Sequence, residues 1–166
     1  MAKELKILNH PHPLLRKMSV PVDLADLKNP KFKTFFPDLI ATMLAKDGLG
    51  IAAPQVGENI RVFAMVYQTK PIILINPIIT KRSWAKVIDD EGCLSVLDEA
   101  GNFIYGPVER HRRINCLYYN EQGDKKKLVL EDLAARVVQH EIDHLDGILF
   151  LDRLVDKPTD PQSSQS

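Results

Sequence analysis

The sequence has only two cysteines in 166 residues, Cys93 and Cys116, too few for the disulfide framework of a small secreted domain. In a reducing compartment each is expected to be a free thiol or a ligand. Charge of one sign is also missing: 22 basic residues cancel 22 acidic ones. That excludes a protein whose main partner is nucleic acid or an anionic membrane, since both select a basic excess. No apolar run reaches bilayer length. Met1-Ala2-Lys3-Glu4-Leu5-Lys6 starts neither a signal peptide nor an Arg/Ser-rich transit peptide, so a cytoplasmic protein is expected. No repeat of solenoid length is present.

What remains is an ordinary globular balance, 45% apolar and 27% charged. Residues 1–156 are expected to form one domain with a single core. The Pro/Ser/Gln/Asp tail, 157–166, is expected to be disordered. Phe36, Leu39, Ile40, Met43 and Leu44 fall at helical spacing, with Pro37 tolerable in a first turn and Gly48 as terminator. Short β-branched and aromatic runs follow at Ile60 to Tyr67, Ile72 to Ile75, Val87 to Ile88 and Ile114 to Tyr119. Asn120 to Asp124 reads as a hairpin into Lys127 to Leu130, and a second helix spans about Glu131 to Leu145, ending at Gly147. The class is α+β: small antiparallel or mixed β-sheets packed around a central helix that carries a His-Glu-x-x-His pattern.

That pattern, His140-Glu141-Ile142-Asp143-His144, is the sharpest chemical signal. Residues four apart stack on one helical face, so both imidazoles can reach one ion. Leu133 and Val137 precede them on the same stripe, which is expected to point inward. Glu141 projects about 100° away, where a carboxylate can contact a metal-bound water. The alternative is a helix with two core histidines and a surface glutamate. A catalytic site needs a third ligand and an open position. Cys93, in Glu91-Gly92-Cys93-Leu94-Ser95, is either that ligand or a small buried hydrophobe. Gly48-Leu49-Gly50-Ile51-Ala52-Ala53-Pro54-Gln55 keeps side-chain bulk low and ends on an amide donor. Composition alone favours a tight helix-to-strand connection there, without chemistry.

Taken together, Gly48 to Gln55, Glu91 to Ser95 and Gln139 to His144 resemble the three motifs of the peptide deformylases, in that family's order. His12 to Arg16 and Leu145 to Phe150 agree with it, so the resemblance spans about residues 6 to 154. It implies a hydrolase that removes the N-formyl group from the formyl-methionine of nascent polypeptides. It further implies that Cys93, His140 and His144 hold one divalent ion, typically ferrous iron, replaceable by zinc, nickel or cobalt, with water in the fourth position. Glu141 would be the general base; Gln55, by its side chain, and Leu94, by its backbone N–H, would bind the formyl oxygen. Leu49, Gly50 and Gly92 would offer backbone groups to an extended substrate, and Leu133 and Val137 would line the methionine pocket. A transient ribosome contact fits such a substrate, but the tail has no basic helix to argue for one.

Two points depart from the family pattern. Leu97 stands where a proline is common, and Asp98-Glu99-Ala100-Gly101-Asn102 lacks an arginine thought to hold the peptide. Arg110 either pairs with Glu91, as the resemblance suggests, or belongs to a solvated run with His111, Arg112 and Arg113. A His-Glu-x-x-His peptidase is the nearest rival, but it usually takes its third ligand, His or Glu, from downstream of the helix. Neither residue follows Leu145.

Overall fold

Helix α1 (Pro30–Ala45) opens where Asn29 caps it, its side chain accepting from the Lys31 N–H at 2.9 Å, with Pro30 in the first turn. The computed structural model describes residues 1–156; the tail expected to be disordered lies outside the described residues. The helix begins a turn and a half before the expected start near Phe36, because Phe32 is already a core residue and stacks on Phe36 at 5.2 Å. Pro37 therefore sits inside the helix. It lies on the exposed face, where water can serve the carbonyl left without its helical partner. The helix ends on Asp47, whose φ of 52° takes the left-handed conformation expected of Gly48.

Seven strands follow: β1 (Gly50–Ala52), β2 (Val62–Tyr67), β3 (Lys70–Arg82), β4 (Lys86–Leu97), β5 (Phe103–His111), β6 (Arg113–Tyr119) and β7 (Lys125–Glu131). Helix α2 (Asp132–Leu145) comes next. Five strands form one sheet in the order β1-β2-β3-β6-β7, and β4 pairs β5 in a separate hairpin. Every pairing is antiparallel. Side chains alternate across a sheet, and β2 uses both faces. Val62 and Ala64 join the α1 core with Leu39, Met43 and Ile51. Phe63 and Met65 join the α2 core with Ala135, Val138 and Leu145. A third cluster, containing Cys93, Val96, Val108 and Phe150, fills the space under the β4–β5 hairpin. Helix α2 is thus the central element, and the class is α+β as expected.

Two strands were not legible. β1 is three residues long, and β5 carries Gly106-Pro107, which reads as a break. Pro107 pairs with Asp90 in a two-stranded hairpin, where a strand can lack one N–H without disrupting a ladder on its far side. β4 extends well beyond the expected Val87 to Ile88, through Asp89-Asp90-Glu91, a charged stretch that hides its length. Among the described residues no helix is long and apolar enough to cross a membrane.

Candidate metal centre

Cys93 is presented by an irregularity in β4. The hairpin register is regular down to Gly92↔Tyr105 and resumes at Leu97↔Phe103, so Cys93 to Val96 bulge out of the ladder. The bulge turns Cys93 and Ser95 into the protein, where both are buried. Helix α2 approaches from the other side. Cys93 Sγ lies 3.2 Å from His144 Nε2, and the rings of His140 and His144 are 4.9 Å apart. One donor atom from each of the three residues lies within 4.8 Å of the others. A thiolate and two imidazoles make a nitrogen–sulfur set suited to zinc or iron, so the chain contains a group able to hold a metal ion.

His140 Nδ1 is engaged with Glu91 Oε2 at 2.9 Å, which fixes the ring and leaves Nε2 for the centre. Burial opposes charge on His140, yet its contacts with Cys93 and Glu91 raise its pKa to about 10. The same negative surroundings favour a cation in the proton's place. Burial drives His144 the other way, well below the usual histidine range.

Glu91 is buried and anchors a charged network. Arg110 Nε and Nη2 donate to it at 2.9 and 3.0 Å, and Arg136 Nη1 donates at 2.8 Å. Arg110 also reaches Asp143 at 2.6 Å, and Arg153 closes on Asp143 at 2.5 and 2.7 Å. Burial alone would raise the Glu91 carboxyl; the hydrogen bonds from His140 and Arg110 overcome it and hold the group far below the usual carboxylate range. Of the two readings of Arg110, the pairing is the one observed: only 5% of it is exposed. Arg112 and Arg113 do point outward, to Asp132 and Glu131.

Gln55 is nine-tenths or more buried, and its amide orientation is set by its partners. Oε1 accepts from the Ala52 N–H at 2.8 Å; Nε2 donates to Ser95 Oγ at 3.1 Å and faces Cys93 Sγ at 3.6 Å. Glu141 is buried as well, and its Oε2 has no hydrogen-bond partner in the protein. That orphaned oxygen fits a site that receives another molecule. Burial raises the Glu141 pKa to about 7. Gly50 makes its position possible: a Cβ there would come within 2.8 Å of Glu141 Cδ.

Cys93, His140, Glu141 and Gln55 border a cavity of about 310 Å³ whose walls include Leu49, Gly50, Gly92, Leu94, Leu133 and Val137. One expectation needs correcting: the α2 stripe is not inward along its whole length. The helix emerges towards its start, so Leu133 is 59% exposed at the cavity mouth and Val137 is half-buried. The sequence reading also missed residues. Arg136 stands one turn before His140 on the same stripe, a spacing that was available. Phe103 and Tyr105 line the cavity from β5, and no pattern flagged them.

Residues 4–159 match the family model of polypeptide deformylase. The chain belongs to that family. It is 41% identical over 152 residues to the peptide deformylase of Pseudothermotoga lettingae, covering 92% of this chain and 82% of the relative. The Treponema pallidum peptide deformylase is 40% identical over 157 residues, covering 95% and 91%. Among solved structures, the deformylase of Thermotoga maritima superposes with a TM-score of 0.84 at 37% identity, covering 92% of this chain and 99% of that one. A class I type b deformylase of Acinetobacter baumannii with Met-Ala-Ser bound gives 0.85 at 33% identity, covering 93% and 100%. Deformylases are metal-dependent hydrolases that remove N-formyl groups from nascent peptides, and this is the chain's enzyme class.

Proposed function

We propose that Cys93, His140 and His144 hold a single divalent ion, and that Glu141, Gln55 and Leu94 carry the deformylation around it. The approach of the three ligating atoms to within 4.8 Å of one another, with Cys93, His140, Glu141, Gln55 and Leu94 lining one cavity, supports the reading, and the partnerless Glu141 Oε2 is the observation that carries it. A bound divalent ion supplies Lewis acidity and makes water nucleophilic near neutral pH. Glu141 takes the proton of the attacking water on its carboxylate. It then delivers that proton to the amine nitrogen as the formyl carbon–nitrogen bond breaks, releasing formate and a free amino terminus. A carboxyl group with a pKa near neutrality is suited to both halves of that transfer. The Gln55 amide N–H and the Leu94 backbone N–H receive the formyl oxygen as it becomes negative. Because Ala52 and Ser95 hold the Gln55 amide in one orientation, little reorganisation is needed as that charge develops.

Leu49, Gly50 and Gly92 offer backbone groups to an extended peptide, while Leu133 and Val137 receive the methionine side chain. The Met-Ala-Ser held by the Acinetobacter baumannii enzyme supports peptide binding of this kind. Ferrous iron is the resident ion in this reading, with zinc, nickel or cobalt as replacements; the nitrogen–sulfur donor set and the family resemblance support it. Nascent formyl-methionyl chains as substrate imply a cytoplasmic enzyme in transient contact with the ribosome.

The test is turnover of a formyl-Met peptide by protein purified without oxygen, beside the Glu141→Ala variant. The variant is expected to keep its metal and lose roughly 10²–10⁴-fold in kcat. Unchanged turnover with metal retained would refute the assignment.

A further inference from the structure

The wall that the sequence left without an arginine is built from aromatic rings. β5 carries Phe103 and Tyr105 to the cavity, with ring centroids 6.5 Å apart in an edge-to-face arrangement. Both remain largely open to solvent, at 45% and 66% exposure. Tyr105 lies against Gly92: a Cβ at position 92 would come within 2.6 Å of its ring. Gly92 therefore seats the ring beside the strand that presents Cys93. Leu133 and Leu49, both about half exposed, are the other apolar residues of the rim. Of the basic side chains that line the cavity, Lys46 is engaged with Glu4 at 2.5 Å, Arg136 with Glu91 at 2.8 Å and His140 with Glu91 at 2.9 Å. An acidic side chain entering here would find those charges neutralised, whereas an apolar one would find surface to cover.

We propose that Phe103 and Tyr105 form a specificity-determining aromatic shelf, which favours formyl-Met peptides with large apolar side chains immediately after the methionine. The proposal rests on the deformylase reading of the site. A chain extended from a cavity filled by its first side chain advances about 3.3 Å per residue, so the next two residues lie within reach of a rim this close. Covering part of an aromatic ring with an apolar side chain is worth a factor of roughly 5–30 in binding.

The experiment compares kcat/KM for formyl-Met-Phe-Phe, formyl-Met-Ser-Ser and formyl-Met-Asp-Asp on the metal-loaded protein. The Phe peptide is expected to lead the Ser peptide by about 5–30-fold, mainly through KM. In the Phe103→Ser/Tyr105→Ser double variant that ratio should fall to about 2 or less. Tyr105→Arg is a second, independent variant, in which the Asp peptide should gain on the Phe peptide. Equal wild-type turnover of all three peptides would overturn the shelf, as would variants that keep the wild-type ratios. Failure to deformylate any of them would overturn the underlying function instead.

Discussion

Replacing Glu91 by glutamine keeps the side-chain volume and removes one buried negative charge. Each Glu91 oxygen accepts two bonds: Oε1 from Arg110 and Arg136, Oε2 from Arg110 and His140. Whichever way the new amide is turned, its NH2 end meets two donors. Removing one partner of a buried ion pair costs about 3–5 kcal/mol. Arg110 retains Asp143 at 2.6 Å, and Arg136 retains the carbonyls of Val108 and Val87 at 2.9 and 2.7 Å, which points to the lower end. At about 2–4 °C per kcal/mol for a chain of this size, the melting midpoint of the apo protein should fall by roughly 6–12 °C. In one of those two orientations His140 loses the acceptor that orients it, and in the other it keeps only an uncharged one, so competition against a chelator should show metal affinity reduced about 10–100-fold. The pH dependence has a definite sign. A carboxyl depressed on folding contributes stability above the ordinary glutamate range and loses it as pH falls through that range towards the depressed value. The gap between wild type and variant, measured by thermal melts of apo protein, should therefore be full at neutral pH and narrow below about pH 4. A variant that melts within about 2 °C of wild type and loads metal equally well would show that the network does not hold His140 in place.

Gly50→Ala places a methyl group against the Glu141 carboxylate, within 2.8 Å of Cδ and 2.9 Å of Cγ. Formyl-Met peptide turnover should drop by at least about tenfold while the metal content stays at wild-type level. Gly147→Ala meets the backbone: φ is 73°, and the new Cβ would come within 2.6 Å of the Arg16 carbonyl oxygen. Denaturant titration should show a loss of more than about 1 kcal/mol. Burial pushes the Cys116 thiol up to about 11, so alkylation at pH 8 followed by peptide mapping should leave Cys116 unlabelled in the native protein and labelled in denaturant.

Much of the molecule could be read from the chain because its strongest signals are local. The α2 boundaries followed from helical spacing and a terminating glycine, and Gly147 does adopt the left-handed conformation. Three of the side chains proposed for the catalytic centre lie within the five residues His140 to His144. The illegible parts depend on tertiary neighbours. Arg136 and Asp143 look like surface charges until the fold joins them, through Glu91 and Arg110, in one buried network, and only the resemblance suggested the pairing of Arg110. β5 looks broken at Gly106-Pro107 until β4 lies beside it, and Leu133 reads as core until the helix is seen to emerge at a cavity mouth. Phe103 and Tyr105 lie in the segment that departs most from the family pattern, so the resemblance offered no role for them.

The two sides of the centre have a consequence for when it can be assembled. Cys93 and His144 stand 51 positions apart, on a hairpin and a helix that share no sheet. An ion grasped by both acts as a rivet: it closes a long loop whose ends would otherwise cost roughly 3–4 kcal/mol of chain entropy to bring together. Helix α2 is translated after all seven strands. The riveted form is thus available only after all seven strands and helix α2 have been made, so an enzyme that trims newborn chains cannot close its own centre before His144 has been added.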